Sequence, residues 1–220
     1  DRIEKHYAKL HAAGVVPLAA RHGLPVYLTE GTRQAMAARG HFDGAVVETR
    51  RVVRGAAFSV GDIAVRALRV PHDAREPCQY LFERDGARLG VLTDTGSLTP
   101  QLLAAYADCD ALFLECNHDV QMLASGPYPP PLRARVGGDF GHLNNAQATG
   151  LLARVDRIRL QALAIGHVSE KNNCVALARR LAAEAIGWPQ ERVVMASQSA
   201  GHDWLQVFPV QARLAGDSGA

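Results

Sequence analysis

The chain has 220 residues, 48% hydrophobic and 21% charged, which suits one well-buried domain of roughly 100–200 residues with additions. A formal net charge of +2 excludes a global field for nucleic acid, so binding of that kind needs a local basic patch. No apolar stretch reaches the roughly 18 residues of a membrane span, and the N-terminus lacks a signal-peptide core. Cys78, Cys109, Cys116 and Cys174 show no C-x-x-C spacing, so the expectation is a soluble, cytoplasmic protein with reduced thiols.

In chain order, residues 1–22 carry a helical stripe (Ile3, Tyr7 and Leu10, then Val15, Leu18 and Ala19) that Gly23-Leu24-Pro25 stops. Val26–Thr29 reads as a short buried strand and Thr32–Ala38 as a helix closed by Gly40. Three β-rich runs follow, Val46–Thr49, Ala57–Val60 and Ile63–Val70, and their turns predict antiparallel pairing. Gln79–Arg84 and Arg88–Thr93 flank Asp85-Gly86, a strong hairpin signal.

Beyond the hairpin, helices and strands alternate. Helices are expected at Pro100–Ala107, His118–Ala124, Asn144–Val155 and Asn172–Ile186, with Pro127–Pro131 as a loop. Strands are expected at Ala111–Cys116, Gln161–Ile165, Val193–Ala196 and Trp204–Val207. Hairpins followed by alternation predict a mixed sheet with helices outside it, an α/β arrangement in layers.

The apolar run Arg88–Thr93 ends on Asp94 and a glycine turn, which places a carboxylate at a strand's C-terminal end. His72, His142 and His167 follow comparable segments. Each has a plainer reading alone. His72 and His142 suit ordinary loop residues, Asp94 suits a turn former capping the Thr95 and Gly96 amides, and His167 suits the approach to a helix capped by Ser169. Their coincidence at strand ends points instead to a metal cluster with Asp94 as its common member. Arg133, Arg135, Arg154, Arg157 and Arg159 read either as a phosphate-tracking surface or as solvated helix faces.

His72 in Pro-His-Asp-Ala, Asp94 in Thr-Asp-Thr-Gly and His167 in Gly-His-Val-Ser resemble, in order, the third to fifth metal motifs of the metallo-β-lactamase superfamily. Glu115-Cys116-Asn117-His118-Asp119, Gly141-His142-Leu143-Asn144-Asn145 and the run His167–Asn173 are similar to its bacterial exonuclease-like or phosphodiesterase-like branch. The resemblance implies an αββα sandwich forming one domain over residues 1–220, and a site for two divalent ions, zinc or else manganese or iron. It further implies that Asp94 bridges the ions, with His72 on one and His167 on the other. His142 resembles the histidine that phosphodiesterase members keep near the leaving group, as general acid or phosphate contact, with Asn117, Ser169 and Asn172 as substrate-binding candidates. The implied activity is metal-dependent hydrolysis of phosphodiesters, with a phosphoester or nucleic acid as partner and no membrane.

The family's H-x-H-x-D-H hallmark aligns with His6-Tyr7-Ala8-Lys9-Leu10-His11, so only the outer histidines match, with Ala8 and Leu10 in place of a histidine and an aspartate. Three explanations stand: a truncated or rearranged version of a longer enzyme, an accidental alignment, or a rebuilt site in which Asp1, Glu4, His6 or His11 supplies ligands. Residues 1–11 are therefore an atypical segment, with His6 and His11 as candidate metal ligands. A missing β-half would expose a sheet face that a homodimer buries. Other readings are hydrolysis of a thioester, lactone or β-lactam on the same metals, or a non-catalytic remnant that binds nucleic acid or a partner chain.

Overall fold

The computed structural model describes residues 14–197 and 202–209. It opens with helix α1 (Val15–His22), closed where Gly23 turns left-handed at φ 62°, a conformation that costs glycine little. Strand β1 (Val26–Thr29) leads directly into helix α2 (Glu30–Ala37), whose first turn is capped by the Thr29 hydroxyl accepting from the Thr32 amide. Strand β2 (Thr49–Val52) returns beside β1 and pairs with it in parallel. The strand expected at Val46–Thr49 is thus displaced, and its pairing is parallel because the chain crosses over through α2 before re-entering the sheet.

Strands β3 (Ala57–Val60), β4 (Ile63–Arg69), β5 (Cys78–Arg84), β6 (Ala87–Leu92), β7 (Ala111–Glu115), β8 (Ala162–Gly166) and β9 (Val193–Met195) form one mixed sheet in that order. The first four are antiparallel neighbours, and β6 to β9 run parallel. The β5–β6 hairpin turns through Asp85 (φ 53°) and Gly86 (φ 80°), as two left-handed residues in a two-residue loop require. Helices α3 (Pro100–Tyr106), α6 (Asn145–Leu152) and α7 (Val175–Ile186) supply the crossovers between the parallel strands or cover them.

The pleat then divides the residues between two faces. Leu92, Leu112, Leu114, Leu163 and Ile165 are buried with Leu102, Tyr106, Leu151, Ala182 and Ile186 from those helices. Gly90 is tied to this packing, since a Cβ there would lie 2.6 Å from the Tyr106 ring, whose hydroxyl donates to the Val91 carbonyl at 2.8 Å. On the opposite face the register aligns Phe58, Val65, Phe82 and Leu89. Tyr27 of the small sheet stacks on Phe58 with ring centroids 5.2 Å apart, while Val16, Leu28 and Met36 bury a second core between the small sheet and its helices. The layers therefore run helix, sheet, sheet, helix, as expected, with the smaller sheet reduced to two strands among the described residues.

Two further expectations are corrected. The Pro127–Pro131 loop gives way at Pro130 to helix α5 (Pro130–Val136), because proline is tolerated in a first turn, where no amide donor is needed. Trp204–Val207 forms no strand: this segment lies against the exposed side of β6 to β8, and Phe208 exchanges hydrogen bonds of 3.0 and 2.7 Å with the Gln161 side chain instead of a neighbouring main chain. Helix α4 (Val120–Ser125) is capped by Asp119, whose carboxylate accepts from the Gln121 and Met122 amides.

Candidate metal centre

The C-terminal ends of β6, β7 and β8 converge, and each ends on a functional group: Asp94 two residues beyond β6, Glu115 at the end of β7 and His167 immediately after β8. Asp94 (φ 51°) and His167 (φ 53°) are two of only four described non-glycine residues in the left-handed region. Such backbone costs of order 1 kcal/mol or more and persists where the surroundings fix it, here turning both side chains out of the pleat toward each other. Nε2 of His167 lies 3.7 Å from Oδ1 of Asp94.

Glu115 organises the group. It is fully buried, and its Oε2 accepts from the Asp94 amide (3.0 Å), Nδ1 of His142 (3.2 Å) and Nδ1 of His167 (3.0 Å). Its Oε1 accepts from the amides of Thr95 (3.1 Å) and Leu143 (2.9 Å). Burial opposes the charged form, but the bonds from His142 and His167 outweigh it and hold the carboxyl at about 2. An ionised carboxylate only accepts, so Nδ1 is the protonated nitrogen of both rings. Burial likewise pushes the His167 imidazole down, yet the Glu115 bond and the Asp94 charge more than offset it, and its pKa stands above the ordinary histidine value.

These contacts exclude the plain turn reading of Asp94. The Thr95 amide is taken by Glu115 and the Gly96 amide by the Pro71 carbonyl at 2.8 Å, so neither is left for the Asp94 carboxylate. The Gly96 contact also draws in the loop bearing His72, whose Nδ1 lies 3.0 Å from the Gly141 carbonyl oxygen and whose Nε2 lies 4.0 Å from Oδ1 of Asp94. His142 follows Gly141, with Nδ1 4.0 Å from the same Asp94 oxygen. The three histidines form a stack, ring centroids 5.3 Å apart for His72 and His142 and 4.9 Å for His142 and His167.

Main chain meets main chain across these loops. A Cβ at Gly96 would lie 2.4 Å from the Asp139 carbonyl carbon and the Gly141 nitrogen, and one at Gly141 would lie 2.2 Å from the Arg135 carbonyl oxygen. His72 is also anchored from the small sheet's side: Glu76, four residues on, accepts from the Gly31 amide at the start of α2 at 2.5 Å, and its own carbonyl accepts from the Thr29 hydroxyl at 3.0 Å.

Asp94, His142 and His167 each offer a ligand atom within 4.8 Å of the others. Imidazole nitrogens around a shared carboxylate, with the outer nitrogens fixed by a buried glutamate, are the donor set a divalent ion takes. The residues present fit one. The tightest trio differs from the expected one in holding His142 in place of His72, which approaches Asp94 from another side beside Asp73. His6 and His11, with Asp1, Glu4, Ala8 and Leu10, lie outside the described residues.

The expected substrate contacts sit differently. Asn117 is nearly buried and donates to the His167 carbonyl at 3.0 Å, so it holds the left-handed turn. Asn172 is entirely buried and presents nothing to solvent; its Nδ2 reaches Ser169 Oγ at 3.5 Å, and its Oδ1 has no partner among the described residues. Ser169 is half-buried and does not cap α7. Its hydroxyl accepts from the Lys171 and Asn172 amides in a turn that delays the helix to Val175. Each of the five arginines named above has a partner within the chain: Arg133 the Ala124 carbonyl, Arg135 Asp73, Arg154 the Gly150 carbonyl, Arg157 the Ala185 carbonyl and Arg159 Asp110.

Residue patterns alone assigned no role to Glu115. The signal was present: a carboxylate closing the apolar run Ala111–Leu114 is costly unless several donors meet it.

Residues 9–165 match the family described as Beta-lactamase superfamily domain. Exodeoxyribonuclease YycJ of Bacillus anthracis is 33% identical over 178 residues, which cover 80% of this chain and 66% of the relative. The chain thus spans slightly less than two thirds of that protein's length. Among solved structures, the metallo-beta-lactamase fold protein YhfI from Bacillus subtilis superposes with a TM-score of 0.64 at 15% identity, over 89% of this chain and 72% of that one. Zn(2+)-bound PqqB from Methylobacterium extorquens gives 0.54 at 20% identity, over 83% of this chain and 61% of that one. The strand order, the converging strand ends and these likenesses agree: the chain belongs to the β-lactamase superfamily domain family and has the metallo-β-lactamase fold.

Proposed function

We propose that the protein is a metal-dependent phosphodiesterase of the nuclease type, acting on DNA. The observation that carries this reading is the convergence of Asp94, His142 and His167 on Glu115 in a chain 33% identical to a protein named an exodeoxyribonuclease. Two divalent ions, zinc by preference and manganese or iron otherwise, would be held by His72, Asp94 and His167. When bound, such a pair neutralises charge on the phosphoryl oxygens and lowers the pKa of water.

The chain's own residues do the rest. Glu115 keeps Nδ1 of both rings protonated and thereby turns Nε2 of each into the working nitrogen. His142 carries a proton at Nε2 and passes it to the departing oxygen, for which an imidazole near pKa 6.5 is well suited. Ser169 remains the polar group from the expected substrate set with exposed surface.

Cleavage of single- or double-stranded DNA supplied with zinc or manganese is expected to be abolished by chelator and by Asp94→Ala. Turnover that ignores the chelator would sink the proposal. The compact trio also favours a second role for His142, as a metal ligand. With His142→Gln, a proton donor predicts a loss of about 100-fold or more on poor leaving groups, little loss on a nitrophenyl ester, and unchanged metal content; a ligand predicts loss of metal. Ala8 and Leu10 favour a non-catalytic binder, which predicts DNA retention without cleavage.

Residues 1–220 are proposed to form one domain located in the cytoplasm, a reading supported by four unpaired cysteines and by the absence, among the described residues, of any helix long and apolar enough to cross a membrane. A homodimer is proposed from the exposed Leu89, Trp204 and Phe208, and light scattering of the purified chain tests it.

A further inference from the structure

We infer that Asp73 is a metal ligand, forming with His72 and Asp94 a second cation position beside the Asp94, His142 and His167 trio. Three atoms converge there. Nδ1 of His72 lies 3.0 Å from the Gly141 carbonyl, which only accepts, so this nitrogen carries the proton and a neutral ring presents its lone pair at Nε2. That lone pair faces Oδ1 of Asp73 at 3.6 Å and Oδ1 of Asp94 at 4.0 Å.

All three are acceptors, and no donor among the described residues stands between them. The separations are too long for hydrogen bonds from a protonated ring, which would draw one oxygen to about 2.8 Å. They lie within about half an ångström of the 3–3.5 Å spacing of atoms sharing one divalent ion at 2.0–2.2 Å.

Asp73 is held for this task from both sides. Its amide donates to the Phe140 carbonyl at 3.0 Å, and its Oδ2 pairs with Nε of Arg135, which leaves Oδ1 toward His72. A carboxylate with one oxygen on an arginine and the other on a cation is a fixed ligand, since the arginine sets its rotation. Asp94 then lies between the two positions and serves both.

This assignment rests on the metal-dependent reading above and adds a residue to it. The test is metal content and affinity, with no substrate present. Zinc, and separately manganese, is titrated into the folded wild type and into Asp73→Asn, Asp73→Glu, Arg135→Gln and Asp94→Ala, with bound ion measured by elemental analysis and fold by circular dichroism. The wild type is expected to bind two ions. Asp73→Asn, which keeps shape and fold, is expected to keep one and to bind the second 10- to 100-fold more weakly, while Asp73→Glu recovers part of that affinity and Arg135→Gln still binds two. Two ions in Asp73→Asn at wild-type affinity would overturn the assignment and leave the proposed function standing. Equal loss in Asp73→Asn and Arg135→Gln would also overturn it, reducing Asp73 to an arginine anchor. A wild-type chain that binds no ion would overturn both readings together.

Discussion

Nδ1 of His167 and Oε2 of Glu115 lie 3.0 Å apart, and this bond joins the ends of two neighbouring parallel strands through a carboxylate with no exposed surface. The same oxygen takes Nδ1 of His142 and the Asp94 amide, so one atom sets the placement of three groups at the centre.

Glu115→Gln therefore strikes both the fold and the metal centre. An amide in this position directs its NH2 group at two N–H donors or at two amide hydrogens, whichever way it is turned. Stability is expected to fall by roughly 3 kcal/mol and metal affinity by about 10- to 100-fold. Urea denaturation and zinc titration of the same variant measure the two losses.

The pH dependence of the metal-stripped chain follows from two opposite shifts. The Glu115 carboxyl is held near 2 in the fold against an ordinary value of 4.5, so its contribution is complete above pH 4.5 and is lost as pH falls toward 2. That shift corresponds to roughly 3 kcal/mol. His167 is raised above 6.5, so its contribution is complete below pH 6.5 and disappears as pH rises through the folded-state value. Stability should be greatest between about pH 5 and 6.5. A urea series across pH checks this, and Glu115→Gln should flatten the acid limb.

Asp110 provides the comparison at the other end of β7. It too is fully buried, accepting from the Arg88 amide at 2.7 Å and from Nη2 of Arg159 at 2.9 Å. Asp110→Ala is expected to cost about 3 kcal/mol, because it strands a buried amide and an arginine. Zinc stoichiometry should be unchanged, since Asp110 lies at the strands' N-terminal ends.

Two glycine substitutions should move in opposite directions. Gly150→Ala, inside α6 with nothing within 4 Å of the added carbon, is expected to raise stability by about 0.5–1 kcal/mol. Gly96→Ala meets main chain at 2.4 Å and is expected to cost about 1–3 kcal/mol and to impair metal binding. Thermal denaturation with and without zinc separates the two effects.

Much of this was legible in residue patterns because the signals are local. Asp85-Gly86 marked the hairpin, the apolar runs marked the parallel strands, and Asn144 with Gln147 closes a capping box at the start of α6. Elements whose identity depends on a distant partner were misread. The β2 boundary is set by pairing with Tyr27 and its neighbours, and residues 204–207 lie on the sheet without joining it. At the site, the histidines and Asp94 stood out by type and position. Glu115 did not, because its role arises from five donors contributed by strand ends and loops up to 52 residues away. Asn172 misled in the reverse sense: a polar residue beside a histidine motif is here wholly interior.

The close approach of Gly96 to Gly141 has a consequence for how the centre tolerates change. The spans carrying His72, Asp94 and His142 are spaced by backbone touching backbone, with no side chain between them to be trimmed or enlarged. Exchanging neighbouring side chains can alter charge or shape around the centre, but the distance between those three groups is built into the peptide chain itself.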